Sequence, residues 1–349
     1  IDTNVPGIRI SELMPRMAQR MQDTAIIRSL NTRNGDHGGG ARLMHLGRRD
    51  EPNLKYPDLG AMLARELGRP DSQVPDYVTF YTATEGRGNA VGQAGFLGSR
   101  FAPMQLTEQN VPPNLALPEF VTDLDHSDRA RLRELLNSHF TYGRHSTAMG
   151  SQNEAYARVR GLMASELLFD VSQEPQKIRD LYGPTLFGEQ VLIARRLAEA
   201  GVPFVKVSRA WWDSHGQNFE THLELVTELD RVMSALLEDL SQRGLLESTL
   251  VVTLGEFGRT PNINASLGRD HFASAWSCSL SGCGIRGGSV YGESDEDGQK
   301  VKDCEIGAAE LFATIFRAVG IHHEKEYHVG ARPIPLTDPG TDPVEEVLA

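Results

Sequence analysis

Four short segments of the chain place carboxylates, imidazoles and guanidiniums beside glycine. They are Asp36-His37-Gly38-Gly39-Gly40, Trp211-Trp212-Asp213-Ser214-His215-Gly216, Gly255-Glu256-Phe257-Gly258-Arg259-Thr260 and Gly268-Arg269-Asp270-His271. Aspartate, glutamate and histidine are the side chains that ligate zinc, manganese or iron, and glycine lets backbone approach a ligand closely. Three of the segments follow an expected strand and the fourth precedes one. Ligands of open α/β sheets bind beyond the carboxyl ends of the strands, so the four segments are expected to meet at one sheet edge.

Each segment also has a purely structural reading. Asp36-His37 suits a turn and helix cap. Asp213-Ser214-His215 suits a cap for the long helix that follows. Glu256, at the end of an apolar strand, needs a partner, and Arg259 or Arg269 would serve. Asp270-His271 suits a turn. Convergence of all four is what favours a site. His126, His139, His145 and the pair His322-His323 are expected on surfaces or helix faces; His222 stands out as close in sequence to His215.

The elements that would position these residues follow from periodicity. Ser11 opens a helical pattern through Leu13, Met14, Met17 and Met21. Residues 24–30 read as a buried strand, followed by a glycine-rich turn and a helix over 41–46. A helix is expected over 57–67 and a strand over 77–81. Residues 86–118 are rich in glycine and proline and read as an irregular excursion, and 127–182 as helix-rich, so that 86–182 is expected to form a cap or insertion. Helices over 187–200 and 220–243 each end at a glycine, Gly201 and Gly244, and lead into strands over 202–208 and 249–254. This repeated helix–glycine–strand order predicts parallel pairing. A strand over 275–280 and a helix over 307–319 complete the reading.

Composition narrows the class. Of 349 residues, 40% are hydrophobic and 23% charged, a soluble globular mix. No apolar run approaches the length of a membrane span. Thirty-five basic against forty-seven acidic residues give a formal charge of -12, which disfavours nucleic-acid partners. Three cysteines, Cys278, Cys283 and Cys304, are too few for a disulfide framework and read as ordinary small residues. The chain opens at Ile1 without an apolar leader, so a processed or truncated start is expected.

The stretches TNVPGIRISELMPRMA, IIRSLNTRNGDHGGGARLM, WWDSHGQNF, TLGEFGRTPNINASLGRDHF and GIRGGSVYGESDEDG resemble the bacterial domain of unknown function 1501. That family is similar to the alkaline phosphatase and sulfatase superfamily. The resemblance implies a single α/β domain over 1–349, with a doubly wound, mostly parallel sheet, helices on both faces and a two-metal edge. Leu46-Gly47 resembles the superfamily's Thr-Gly pair, which places His37 at its nucleophile position. Asp213 with His215, Glu256 and His271 resemble its metal ligands, while Phe257 stands where an imidazole is usual. The superfamily's first metal aspartate would lie before Ile1. With these departures one divalent ion (zinc, manganese or iron) is implied rather than two.

Two functional readings follow. The first is a metal-dependent hydrolase of phosphate or sulfate esters, with ligands Asp213, His215, Glu256 and His271 and with His37 as general base or phosphoryl acceptor. In it Arg259 and Arg269 clamp an oxyanion, and Asp36 and Asp270 line the substrate. The second is a non-catalytic binding or surface protein that retains the scaffold after losing its nucleophile. A small-molecule ester or carbohydrate-derived substrate is expected, and the resemblance implies a periplasmic or extracellular, secreted protein.

Overall fold

A computed structural model describes residues 1–69, 72, 74–82, 92–112, 119–141 and 166–349. Its largest sheet has four strands in the order β5-β8-β1-β9, where β1 is Thr24–Leu30, β5 Leu250–Thr253, β8 Trp276–Gly282 and β9 Ser289–Tyr291. The strand β8 runs antiparallel to both β1 and β5, and only the β1–β9 pair is parallel. A second sheet is fully parallel and has the order β3-β2-β4, from β2 (Tyr77–Thr79), β3 (Met104–Gln105) and β4 (Phe204–Lys206). The architecture is mixed α/β. The two strands that follow helix–glycine units, β4 and β5, lie in different sheets, and β5 takes an antiparallel neighbour. Among the described residues the strands form several small sheets, the largest of them mixed, and not one continuous doubly wound sheet. Local periodicity reports that a strand exists, whereas its neighbour is chosen by packing over hundreds of residues.

Seven helices are described: α1 (His37–Leu46), α2 (Leu59–Leu67), α3 (Asp123–Thr141), α4 (Gln176–Tyr182), α5 (Leu186–Glu199), α6 (Asn218–Gln242) and α7 (Ala308–Ala318). Side-chain caps set several starts: Asp36 accepts from the Gly39 amide, Asp58 from Ala61 and Thr185 from Gly188. After α5 and α6 the chain turns at Gly201 (φ 86°) and Gly244 (φ 67°). No α-helix forms over the pattern that starts at Ser11. Pro15 interrupts it, and the segment makes 3-10 turns at Met17–Gln19 and Met21–Asp23, docked on α6 by Asp230, which accepts from the Arg16 and Met17 amides. The expected cap falls partly outside the described residues, at 86–91, 113–118 and 142–165.

The core is layered around the mixed sheet. Ala25, Ile27 and Leu30 of β1 and Trp276, Cys278 and Leu280 of β8 pack with Leu311 and Ile315 of α7 and with Val347. Each such large side chain contributes about 1.5–3 kcal/mol. A second core joins β2 to α5 through Val78, Phe80, Ile193 and Leu197. A third joins α4, α5 and α6 through Tyr182, Val191, Leu192, Val232 and Ala235. Between α5 and α6 lies a buried charge network, in which Arg195 pairs with Glu174 at 2.7 Å and with Asp239 at 2.8 Å. All three cysteines are free thiols. Among the described residues no helix is long and apolar enough to cross a membrane.

Candidate metal centre

The first residue of α1, His37, is set by local chemistry. Its helix starts four residues before the sequence pattern indicates, because the Asp36 cap holds the Gly39 amide at 2.7 Å while the Asp36 carbonyl takes the Gly40 amide at 2.7 Å. The glycines that weaken this turn as helix also let it pack closely. A Cβ on Gly40 would stand 3.2 Å from the Phe257 ring and 3.4 Å from the Glu256 carbonyl oxygen. The turn therefore lies directly on the loop after β5.

Asp213 and His215 lie in the loop between β4 and α6. A second loop is zipped onto it: Arg269 donates its amide to the Ser214 carbonyl at 2.9 Å, and Asn218 its amide to the Leu267 carbonyl at 3.0 Å. The short strands β6 (Gly258–Arg259) and β7 (His271–Phe272) then bring Arg259 and His271 face to face.

Three imidazoles converge on Asp213. The Nε2 of His37 lies 3.0 Å from Asp213 Oδ2, and the Nε2 atoms of His215 and His271 lie 3.0 and 3.1 Å from Oδ1. Every outer nitrogen meets an acceptor. His37 Nδ1 is 2.7 Å from Glu256 Oε1, His215 Nδ1 is 2.8 Å from Asp270 Oδ1, and His271 Nδ1 is 2.7 Å from the Gly35 carbonyl oxygen. Carboxylates and carbonyls only accept, so each Nδ1 is placed to donate outward, and each Nε2 faces the Asp213 carboxylate. The three Nε2 atoms are the inward groups.

The buried ring of Phe257 forms one wall of the cluster. Its centroid lies 4.5 Å from that of His271 and 5.1 Å from that of His37. The guanidinium of Arg259 sits 5.8 Å from the same ring and donates to Asp213 Oδ1 at 2.6 Å and to the Arg269 carbonyl at 3.2 Å. Burial alone would raise the Asp213 carboxyl, but bonds from Arg259, His37 and His271 overcome it and hold the group well below the usual carboxylate range. Asp270 is likewise lowered, first by His215 and then by Asn264.

The structure therefore brings His37, Asp213, His215, Glu256, Arg259, Asp270 and His271 together. Two expected substrate contacts stand aside: Asp36 caps α1, and the Arg269 guanidinium donates to the Thr260 and Pro261 carbonyls. His222 faces the Asn218 carbonyl and the edge of Trp212. Sequence reasoning missed Asn264, whose amide holds the His215 carbonyl and Asp270 Oδ1, each at 3.1 Å. Its signal is the Asn-x-x-x-Gly spacing, since the same side chain also caps the Ser266 and Gly268 amides.

The donor chemistry fits a first-row transition ion. His37, Asp213 and His271 each offer a ligand atom, all within 4.8 Å of one another. The Nε2 atoms of His37 and His271 lie 3.0 and 3.1 Å from the Asp213 oxygens, separations that match the edge of a small coordination polyhedron with bonds of about 2 Å. Imidazoles whose far nitrogen is fixed by an oxygen acceptor are characteristic of such centres.

Residues 1–348 match the family described as protein of unknown function (DUF1501), and the chain belongs to it. No curated protein matches the sequence. Among solved structures, Ps i-CgsB overlays with a TM-score of 0.42 at 10% identity, over 88% of this chain and 66% of its own. The PsFucS1 sulfatase from Pseudoalteromonas sp. overlays with a TM-score of 0.39 at 13% identity, over 88% of this chain and 62% of its own. The chain thus spans less than two thirds of either protein, and both likenesses are distant.

Proposed function

We propose that the chain is a metal-dependent hydrolase of anionic esters, of the phosphate or sulfate class, holding one divalent zinc, manganese or iron ion through His37, Asp213 and His271. The observation that carries this reading is that the donor atoms of these three residues converge while each imidazole is oriented from behind. An ion so held supplies Lewis acidity toward an ester oxygen and lowers the pKa of water.

The remaining residues have separate tasks. His215 is the most exposed of the imidazoles, at 48% against 30% for His37 and 23% for His271. Its Nδ1–H is fixed by Asp270, so its Nε2 is oriented to take a proton from water and return it to the leaving oxygen. Glu256 orients His37, and Arg259 orients Asp213 while adding positive charge beside an incoming ester. This reading exchanges the tasks that the sequence suggests for His37 and His215 and moves Glu256 behind the ligands. Export to the periplasm or beyond, implied by the resemblance, belongs to the same proposal.

The test is elemental analysis of the purified chain, with turnover of 4-nitrophenyl sulfate and phosphate. Roughly one ion per chain is expected, lost in Asp213→Ala and His271→Ala, with turnover lost in His215→Ala while metal is retained. One observation favours the non-catalytic alternative: Arg259 already satisfies Asp213 Oδ1 at 2.6 Å without an ion. Absence of metal, with unchanged melting temperatures in those variants, would decide for that alternative.

A further inference from the structure

Residues 31–37, 207–217 and 254–272 carry the cluster, and they hold four arginines and no lysine. Each of these guanidiniums is already engaged. Arg33 pairs with Glu305 at 2.8 Å, Arg209 with Glu228 at 2.7 Å and Arg259 with Asp213 at 2.6 Å. Arg269 donates to the Thr260 and Pro261 carbonyls, at 2.5 Å each. The charges that face solvent at the centre are instead acidic. Asp270 is 56% exposed and Glu256 35%, against 17% for Arg259. A divalent ion at His37, Asp213 and His271 supplies two positive charges. Together with Arg259 these only balance Asp213, Glu256 and Asp270, so the loaded centre has no excess of positive charge with which to draw in an anion.

This balance bears on the reaction. A phosphoryl group in transfer spreads negative charge over three oxygens, and cations set around them do most of the catalysis. A sulfuryl group has the same three oxygens. An acyl carbon under attack develops charge on one oxygen only, which a single positive centre can stabilise. The base present is also the one that acyl transfer uses, an imidazole whose far nitrogen is held by a carboxylate: His215 Nδ1 lies 2.8 Å from Asp270 Oδ1.

We infer that the centre hydrolyses uncharged carboxylic esters in preference to phosphate or sulfate esters, with the His215–Asp270 pair as its base. This goes beyond the reading given above. It rests on that reading for the ion and for His215, and not for the anionic substrate. The oxygen of water bonds to the acyl carbon while its proton passes to His215 Nε2. The bond from the acyl carbon to the alcohol oxygen then breaks, and the departing oxygen takes that proton. Ester and water give one carboxylic acid and one alcohol, and nothing is oxidised or reduced.

The test compares ethyl acetate and ethyl butyrate, followed by pH-stat, with 4-nitrophenyl sulfate and 4-nitrophenyl phosphate, on the full chain loaded with zinc or manganese. Alkyl esters are used because activated aryl esters react with any exposed imidazole. For at least one alkyl ester, kcat/KM is expected to exceed that of both anionic esters by about tenfold or more, and to be lost in EDTA and in His215→Ala at unchanged melting temperature. Calorimetric titration with inorganic sulfate, phosphate and acetate gives a readout apart from turnover. Sulfate and phosphate are expected to bind no tighter than acetate. Asp270→Asn keeps an acceptor for His215 while removing a charge, and is expected to raise sulfate affinity about tenfold. Faster turnover of either anionic ester overturns the inference and leaves the hydrolase reading standing, as does sulfate or phosphate binding tighter than acetate. Sulfate affinity unchanged in Asp270→Asn overturns the electrostatic account that carries it. Alkyl-ester turnover that survives both EDTA and His215→Ala also overturns it, as adventitious. Bound metal with no turnover of any of the four esters removes the inference and the hydrolase reading together.

Discussion

The Nε2 atoms of His215 and His271 stand 3.1 Å apart. Both protons on the outer nitrogens are committed, to Asp270 and to the Gly35 carbonyl. Nitrogens facing each other at that distance need a proton or a cation between or beside them, and the Asp213 carboxylate, 3.0–3.1 Å from the Nε2 atoms of His37, His215 and His271, is the centre on which all three rings gather.

The first prediction is that the cluster is stabilised by transition ions and not by calcium. Binding at about one hundred times the dissociation constant adds about 2.7 kcal/mol, which for a chain of this size raises Tm by about 3–8 °C. Differential scanning fluorimetry after EDTA treatment, with zinc, manganese or calcium then added back, measures it. A melting curve indifferent to all three would argue that a proton, not a metal, occupies the gap.

Glu256 acts through His37. Glu256→Ala removes the acceptor of the Nδ1 proton and frees the ring to rotate, so metal affinity is expected to fall roughly 10–100-fold. Glu256→Gln keeps an acceptor oxygen and is expected to recover most of that loss. Competition with a fluorescent chelator gives the affinities. Equal behaviour of the two variants would show that Glu256 contributes charge and not orientation.

How much of this was legible beforehand depended on range. The span of β1 was readable to the residue, since Ala25, Ile26, Ile27 and Leu30 of TAIIRSL make a short apolar segment ended by the polar turn at residues 31–40, and the ends of α5 and α6 were readable from Gly201 and Gly244. The start of α1 was not, because three glycines after His37 look like a loop until the Asp36 cap and the contact with Phe257 are known. Residue types at the centre were equally visible. Which atom faces inward was not, because Glu256 and His37 differ in role only through a 2.7 Å bond between residues 219 positions apart. Phe257 reads in sequence as a lost imidazole, and in three dimensions it is the wall that holds two others.

A third prediction concerns the backbone that carries His215. Gly268 packs so closely on the His215 carbonyl that any Cβ there would overlap main-chain atoms. Gly268→Ala must therefore part the loop of Asp213 and His215 from the loop of Asp270 and His271, which Arg269 and Ser214 otherwise join. Turnover of aryl esters is expected to fall by about 100-fold, the scale of a misplaced site, with a parallel loss of bound metal. Metal content and turnover both at the wild-type level would show that the contact between the two loops does not set the geometry of the centre.

The last prediction tests the frame that carries the loop of Asp213. Glu174 and Asp239 hold the buried Arg195 between α5 and α6. Burial alone would raise the Glu174 carboxyl, but the Arg195 and Arg196 guanidiniums outweigh it and hold the group below its ordinary value of 4.5. A carboxyl whose folded value is depressed contributes stability that is fully present above its unfolded value and is lost as pH falls through the folded one. Urea denaturation between pH 7 and pH 3 should therefore show stability falling from about pH 4.5 downward. Glu174→Gln leaves Arg195 short of one counter-charge, so it is expected to cost about 3 kcal/mol at pH 7 and to flatten the slope below pH 4.5. A variant with the same slope as the wild type would show that other carboxylates set the acid limit.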